Sequence, residues 1–487
     1  MKHSLRSYFF GLPISLMMAV CGHAAQGPSS SETPYLTPAN GTVEFTSLLT
    51  VGDVVRKNNP STPADTVYRM VGIPDGLGAF DNGDGTITVL MNHELGSSQG
   101  AVRAHGSAGA FVSKYRIRKS DLKVLRGEDQ IKSVYLFNAG TGTWSKGTTA
   151  FNRFCSADLA PASAFYNLAT DKGYFDGRIF MNGEESGPTG RAFAHIASGP
   201  LAGNSYELPS LGTAAWENNV ASPGSQDNTI VISMDDTTPG KVYVHGAAKT
   251  KDAGPLAAGL NGGLNMNIAV SGYAVDVRDS VPAAGTRFSL VPTSDAAGTK
   301  FLRPEDGSWD TRNPNRFYFA TTDRYDAVKD GAGTAIGRSR LWRLTFDDVA
   351  NPLLGGTIEA VLDGTEAGNM FDNLTVDASG NVFLQEDVGG NPHNGKIWKY
   401  DPVTDALTLV ASHDVARFGD LAIPATAPHN NDEESSGIIE VSHLFAGVPG
   451  YDTTTYGYFL LDVQAHSNLA DLELVQRGQL LMMRVAK

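Results

Sequence analysis

An all-β fold, a single β-propeller of about six blades with loop insertions, is predicted by three features of this chain. Turn-forming residues are dense, with 54 Gly and 24 Pro in 487 residues, and few windows hold a helical periodicity. Short strand-like runs recur from end to end, at 86–91, 111–117, 133–137, 178–182, 229–234, 241–245, 316–320, 340–345, 357–362, 381–385, 396–400, 407–411, 457–463 and 480–485. A loose repeat of turn, apolar strand and terminal carboxylate or histidine appears in DNGDGTITVLMNHE (81–94), DGRIFMNGEE (176–185), NPNRFYFATTD (313–323), DASGNVFLQED (377–387) and YGYFLLDVQAH (456–466). Equivalent strands of successive blades surround one channel, so polar residues at equivalent strand ends converge on one mouth. Glu94, Glu184, Glu185, Asp323, Glu386, Asp387 and His466 are expected to meet there. Each acid alone is equally explained as a turn residue, but Glu is a poor turn former.

In chain order, residues 1–25 read as a cleaved Sec-type export signal: Lys2 and Arg6, an apolar run at 9–20, then small residues around Gly22 and Ala24. Cys21 leaves with it, and Val20 is a poor residue before a lipid-modified cysteine. Residues 26–487 are then expected to form one periplasmic or secreted propeller domain, monomeric and without a membrane span, since no other segment has roughly 18 uninterrupted apolar residues. Loss of Lys2 and Arg6 takes the formal net charge from -14 to -16. Such an acidic surface, with no basic run, argues against nucleic acid as a partner. Residues 26–40 are expected to be an exposed arm, and 247–264 a Gly/Ala-rich loop.

Several short motifs carry chemistry. Asp81-Asn82-Gly83-Asp84-Gly85 lacks the alternating ligands of a calcium loop and reads as a hairpin turn. Cys155 is the mature chain's single thiol, hence a buried core residue, a link between chains, or a metal ligand. Glu184-Glu185 closes an apolar strand, and hard oxygen ligands beside a thiolate suit a mixed metal site. Glu94 after the apolar strand 87–91 would be costly to bury without a cation or donor. In LRPED, Arg303 is either a bidentate grip on an oxyanion or half of an ion pair with Glu305. The acid-rich stretch 431–437, with Glu433-Glu434, reads on its own as a solvated loop.

Taken together, RFCSADLAPASAFYN, NGEESG, LRPEDGSWD, DNLTVDASGNVFLQEDVGG, NDEESSGI and LLDVQAH resemble the PhoX-type alkaline phosphatase family from about Asn92 to His466. The resemblance implies a propeller with a central iron and calcium site that hydrolyses small phosphate esters outside the cytoplasm. Carried over by motif, Cys155 would be the iron thiolate, and Glu184, Glu185, Glu305, Glu386 and Asp387 metal carboxylates, with Glu94, Glu433 and Glu434 as further transfers. Arg303, Arg153 and Arg191 would orient the phosphate. The leader lacks the family's Arg-Arg pair, Ser-Ala-Asp follows Cys155 in place of a Gly-rich turn, and Gly183 stands where a second cysteine is common. Two other readings use the same propeller: a calcium-stabilised binding or adhesive module, and a calcium-dependent lactonase or esterase. Neither of them needs a thiolate.

Overall fold

The most apolar runs, such as Thr86–His93, Ile179–Glu184 and Val382–Glu386, form strands that bury side chains on both faces, one set toward each neighbouring sheet. A computed structural model describes residues 23–487 apart from 61, 278, 323–338 and 392. Asp323, Cys21 and residues 1–22 of the expected export signal lie outside the described residues.

Among the described residues six blades surround a channel. Their innermost strands, blades 1 to 6 in chain order, are Pro74–Asp81, Phe154–Asp158, Trp216–Ala221, Pro304–Trp309, Phe371–Val376 and Glu433–Glu440. Each packs against the next, and the sixth packs against the first. The second strands, Thr86–His93, Ile179–Glu184, Asn228–Asp235, Arg316–Thr321, Val382–Glu386 and Tyr456–Asn468, each pair antiparallel with the inner strand of their own blade. In blade 6 the C-terminal strand Gln476–Ala486 accepts the N-terminal Val43–Thr50, with Val43 opposite Val485 and Phe45 opposite Met483, so the two ends of the chain close the ring.

An apolar core fills each interface between blades. Phe154, Phe180 and Phe193 lie between blades 1 and 2, and Met181, Trp216 and Val231 between 2 and 3. Ile232, Phe319 and Trp342 fill the space between 3 and 4, and Tyr318, Leu374 and Leu384 that between 4 and 5. Phe383, Phe459 and Leu461 do so between 5 and 6, and Leu460, Val89 and Tyr115 between 6 and 1. Strand alternation decides which neighbour a residue meets, as with Val231 and Ile232. The segment expected to be an exposed arm is not free: Leu36–Pro38 pairs with Ala406–His413 of blade 5, and Tyr35 and Leu36 are buried. Two apolar side chains there outweigh the turn-rich composition around them.

The six inner strands share one irregularity. Each carries a register irregularity near its start, with Gly76, Cys155-Ser156, Glu217-Asn218, Glu305-Asp306, Asp372-Asn373 or Ser436-Gly437 at the shift. Such bulges turn side chains out of the pleat. Gly76 has no room for a side chain, since a Cβ would lie 2.4 Å from the backbone nitrogen of Ala157 on the adjoining inner strand.

At the opposite end of the channel Asp158 is half-buried, and its Oδ2 accepts a 3.3 Å bond from the Ala221 amide. Burial pushes its carboxyl up to about 7, with Asp306 adding to the shift. Between pH 4 and 7 the unfolded chain has already released this proton while the folded chain keeps it, so stability falls as pH rises through that window, by up to about 4 kcal/mol for the full shift. Asp158→Asn is expected to flatten that slope, as read from urea midpoints at pH 4.5 and 7.5.

Candidate metal centre

The start of each inner strand and the end of each second strand face the same mouth of the channel. Residues just past the second strands are held in one layer. The amides of Glu94, Glu185, Asp236, Thr322 and Asp387 donate to the carbonyls of Ile73, Arg153, Ala215, Arg303 and Met370 at 2.8 to 3.1 Å, and Gln464 pairs with Glu434 at the same place in blade 6. Four of these inner-strand leads, Ile73, Arg153, Arg303 and Met370, have φ between 49° and 56°. A left-handed backbone at non-glycine residues costs of order 1–3 kcal/mol each and persists where surrounding structure imposes it, often at functional sites.

Below that layer the bulges present Asp75, Cys155, Glu217, Glu305 and Asp372, all buried. Among the described residues three groups have ligand atoms within 4.8 Å of one another: Asp75, Glu94 and Cys155; Cys155, Glu185 and Glu217; and Glu217, Glu305 and Asp372. Cys155 and Glu217 are each shared, so the groups join into an arc across blades 1 to 5. Blade 6 adds Glu434, His466 and Gln464. Gln464 Nε2 donates to Asp75 at 3.1 Å and to Glu94 at 3.2 Å. Cys155 Sγ lies 3.4 Å from Asp75 Oδ2, and its carbonyl accepts a 2.7 Å bond from the Asn92 amide side chain. Phe154 and Ala157 join the apolar core between blades 1 and 2, while Cys155 turns away from it into the acidic arc.

Burial is the first cause of every upward shift in this cluster. It raises Asp75, with Glu434 and Glu94 adding, and Cys155, with Asp75 and Glu217 adding. Glu217 and Asp372 rise by burial and then by the charge of Glu305. Glu185 and Glu305 rise by burial, partly offset by Arg153 and Arg303 respectively. Asp387 is pushed up to about 7 by burial and Glu434. His466 is the counterpart: against burial, the hydrogen bond and charge of Glu434 raise its imidazole to about 10. The carboxylates outnumber Arg153, Arg303 and His466, and Glu217 Oε1 and Asp372 Oδ1 are buried with no hydrogen-bond partner among the described residues. Orphaned carboxylate oxygens beside a thiol fit bound metal ions, which would hold these groups ionised together.

Of the residues expected from sequence, Cys155, Glu94, Glu185, Glu305, Asp387, Glu434, Arg153 and Arg303 lie in this mouth. Glu184, Glu386, Glu433 and Arg191 do not, because adjacent strand residues point to opposite sides. Glu184 is gripped by Arg191, Nε to Oε2 and Nη2 to Oε1 both at 2.8 Å, so this pair is structural in geometry. Glu386 accepts from Trp398 Nε1 at 2.7 Å, the Asn369 amide at 2.8 Å and the Lys396 amide at 3.0 Å. Glu433 Oε1 accepts from the Gly395 amide at 3.1 Å. Glu184→Gln is therefore expected to retain full metal content while losing about 1–3 kcal/mol of stability, since the half-buried Arg191 loses its charged acceptor; metal analysis beside a denaturant titration checks this.

Asp75, Glu217, Asp236 and Asp372 belong to the mouth and were not expected. Asp236 had a signal: TIVISMDD (229–236) is one more copy of the strand-then-acid repeat. The others sit in bulged strands rich in Asp, Asn and Gly, whose composition imitates turns.

No protein-family model matches the sequence. No curated protein matches it. Among solved structures, Pseudomonas fluorescens PhoX, in complex with vanadate as a transition-state analogue, aligns with a TM-score of 0.60 over 96% of this chain and 98% of its own, at 12% identity. A fungal alcohol oxidase in complex with copper aligns at 0.37, with 9% identity over 85% of this chain and 76% of its own. The NanB sialidase of Streptococcus pneumoniae also aligns at 0.37, with 8% identity over 89% of this chain and 70% of its own. The chain shares the fold of that PhoX structure over 96% of its length. Among the described residues no helix is long and apolar enough to cross a membrane.

Proposed function

We propose that this protein is an exported, metal-dependent phosphatase that hydrolyses phosphate monoesters at the acidic mouth of its propeller. The observation that carries the reading is the arc from Asp75 to Asp372, which combines one thiol with buried carboxylates in a chain of PhoX fold. Cys155, with Asp75, Glu94, Glu185 and Glu217 around it, suits iron; the all-oxygen set Glu217, Glu305 and Asp372 suits calcium. Such ions supply Lewis-acid charge for the phosphoryl and leaving oxygens.

The chain's own residues do the rest. Arg153, with a side chain 48% exposed, is the guanidinium an incoming phosphate meets first. Arg303 is deeper, fixed by Asp236 through Nε at 2.8 Å and Nη2 at 2.9 Å, so its plane is set before substrate arrives. Preorganised donors of this kind cost no reorientation during reaction. Asn92 anchors the backbone of Cys155, and Thr322 donates to Glu305, which orients both ligating side chains. Residues 1–25 act as the export signal and 26–487 as the enzyme.

Elemental analysis of the purified protein, with assays on an aryl phosphate, an aryl phosphodiester and an aryl lactone, tests the reading. Bound iron and calcium with monoester turnover, inhibited by vanadate and lost on chelation, is the expected result. Calcium alone with lactone turnover, or calcium alone with no turnover, would replace it by the lactonase or the adhesive module.

A further inference from the structure

The residues leading into the inner strands alternate around the ring. Blades 1, 3 and 5 carry the apolar Ile73, Ala215 and Met370, and blades 2, 4 and 6 the charged Arg153, Arg303 and Glu434. At the second-strand ends the odd blades carry the carboxylates Glu94, Asp236 and Asp387, and the even blades carry Glu185, Thr322 and Gln464, so Glu185 is the acid that breaks a strict alternation. The mouth therefore has an approximate threefold pattern, in which each even blade sets a charged side chain against the carboxylate of the blade before it. Arg153 meets Glu94 at 2.6 Å, and Arg303 meets Asp236 at 2.8 Å. In the third sector the bridge from blade 5 to blade 6 joins Asp387 to Glu434, and His466 supplies the positive charge.

Resting on the metal-centre reading above, we infer that Arg153 is a resident counter-cation that takes the place of one metal ion at the edge between blades 1 and 2 and so limits how many ions the site holds. Its guanidinium bridges Glu94 and Glu185, which belong to two of the three ligand groups, on either side of the shared Cys155. A divalent ion placed there would take ligand oxygens from the same two carboxylates. The left-handed backbone at Arg153, φ 49°, is the conformation that directs this side chain across the blade boundary. Unlike a metal ion, the guanidinium is held by the chain and cannot be lost to a chelator. Arg153 is in this respect a positioning residue that fixes Glu94 and Glu185 on either side of the Cys155 sulfur.

The test counts ions in the full chain purified with iron and calcium present. Arg153→Gly removes the charge and relieves the backbone, and Arg153→Lys keeps a charge at the same edge. Elemental analysis is expected to find about one more divalent ion per chain in Arg153→Gly than in the wild type, with the count unchanged in Arg153→Lys. A larger loss of thermal stability on chelation should accompany the extra ion. An unchanged or lower count in a folded Arg153→Gly protein, with metal present in the wild type, overturns this inference alone. Wild-type protein that holds no metal overturns the metal-centre reading itself, and a misfolded glycine variant leaves the lysine variant to decide, since an increased count there would also contradict the role.

Discussion

Cys155→Ser is expected to remain folded, to lack the visible sulfur-to-iron absorption expected of the iron-loaded wild type, and to lose at least about 100-fold in phosphatase activity. The thiol is buried, but it faces Asp75 at 3.4 Å and two ligand groups rather than the apolar core that takes up Phe154 and Ala157. A serine hydroxyl therefore finds polar neighbours, which limits any loss of stability, while it is a far poorer soft ligand than a thiolate. Absorption spectra, elemental analysis and turnover of an aryl phosphate on the same preparation check this together. Full activity and unchanged iron in a folded Cys155→Ser protein would remove the thiolate from the site and favour a calcium-only propeller.

Glu217→Gln is expected to have the next largest effect, and it separates the metal-bound from the metal-free protein. Glu217 belongs to two ligand groups, whereas Glu94 belongs to one, so its loss should lower metal content and activity more than Glu94→Gln does. Without metal the sign reverses. Burial and the charges of Glu305 and Asp75 push the Glu217 carboxyl far above its usual range, so its ionised form is disfavoured in the fold and a neutral amide relieves that cost. Melting temperature should therefore fall in the loaded variant and rise in the chelated one, each against wild type in the same state. A fall in both states would make Glu217 a structural residue.

The strands that the sequence revealed were the outer ones. Runs such as IFM, IVI and FYFA are continuous apolar stretches covered by two neighbouring blades, and such runs read as strands without any knowledge of partners. The inner strands were invisible for the converse reason. PDGLGAFD, WENNVA and FDNLTV line a polar channel, carry bulges and mix acids with Asn and Gly, so locally they resemble turns. That blindness hid Asp75, Glu217 and Asp372, while in equally bulged strands Cys155 stood out as a lone thiol and Glu305 through its LRPED motif.

Within pairs of neighbouring acids the sequence was equally mute. Glu184-Glu185, Glu386-Asp387 and Glu433-Glu434 each read as two ligands, yet in each pair one side chain turns into the mouth and its neighbour is taken up by donors within or between blades. By itself the sequence determined an all-β chain, its strand-and-turn rhythm, an acidic composition, a single thiol after residue 25 and acids at repeated strand ends, because these depend on residue type and short-range spacing. Tertiary structure alone decided which acids converge, because ring closure sets the register of six inner strands and the two-residue period of a strand then admits only every second side chain to the mouth.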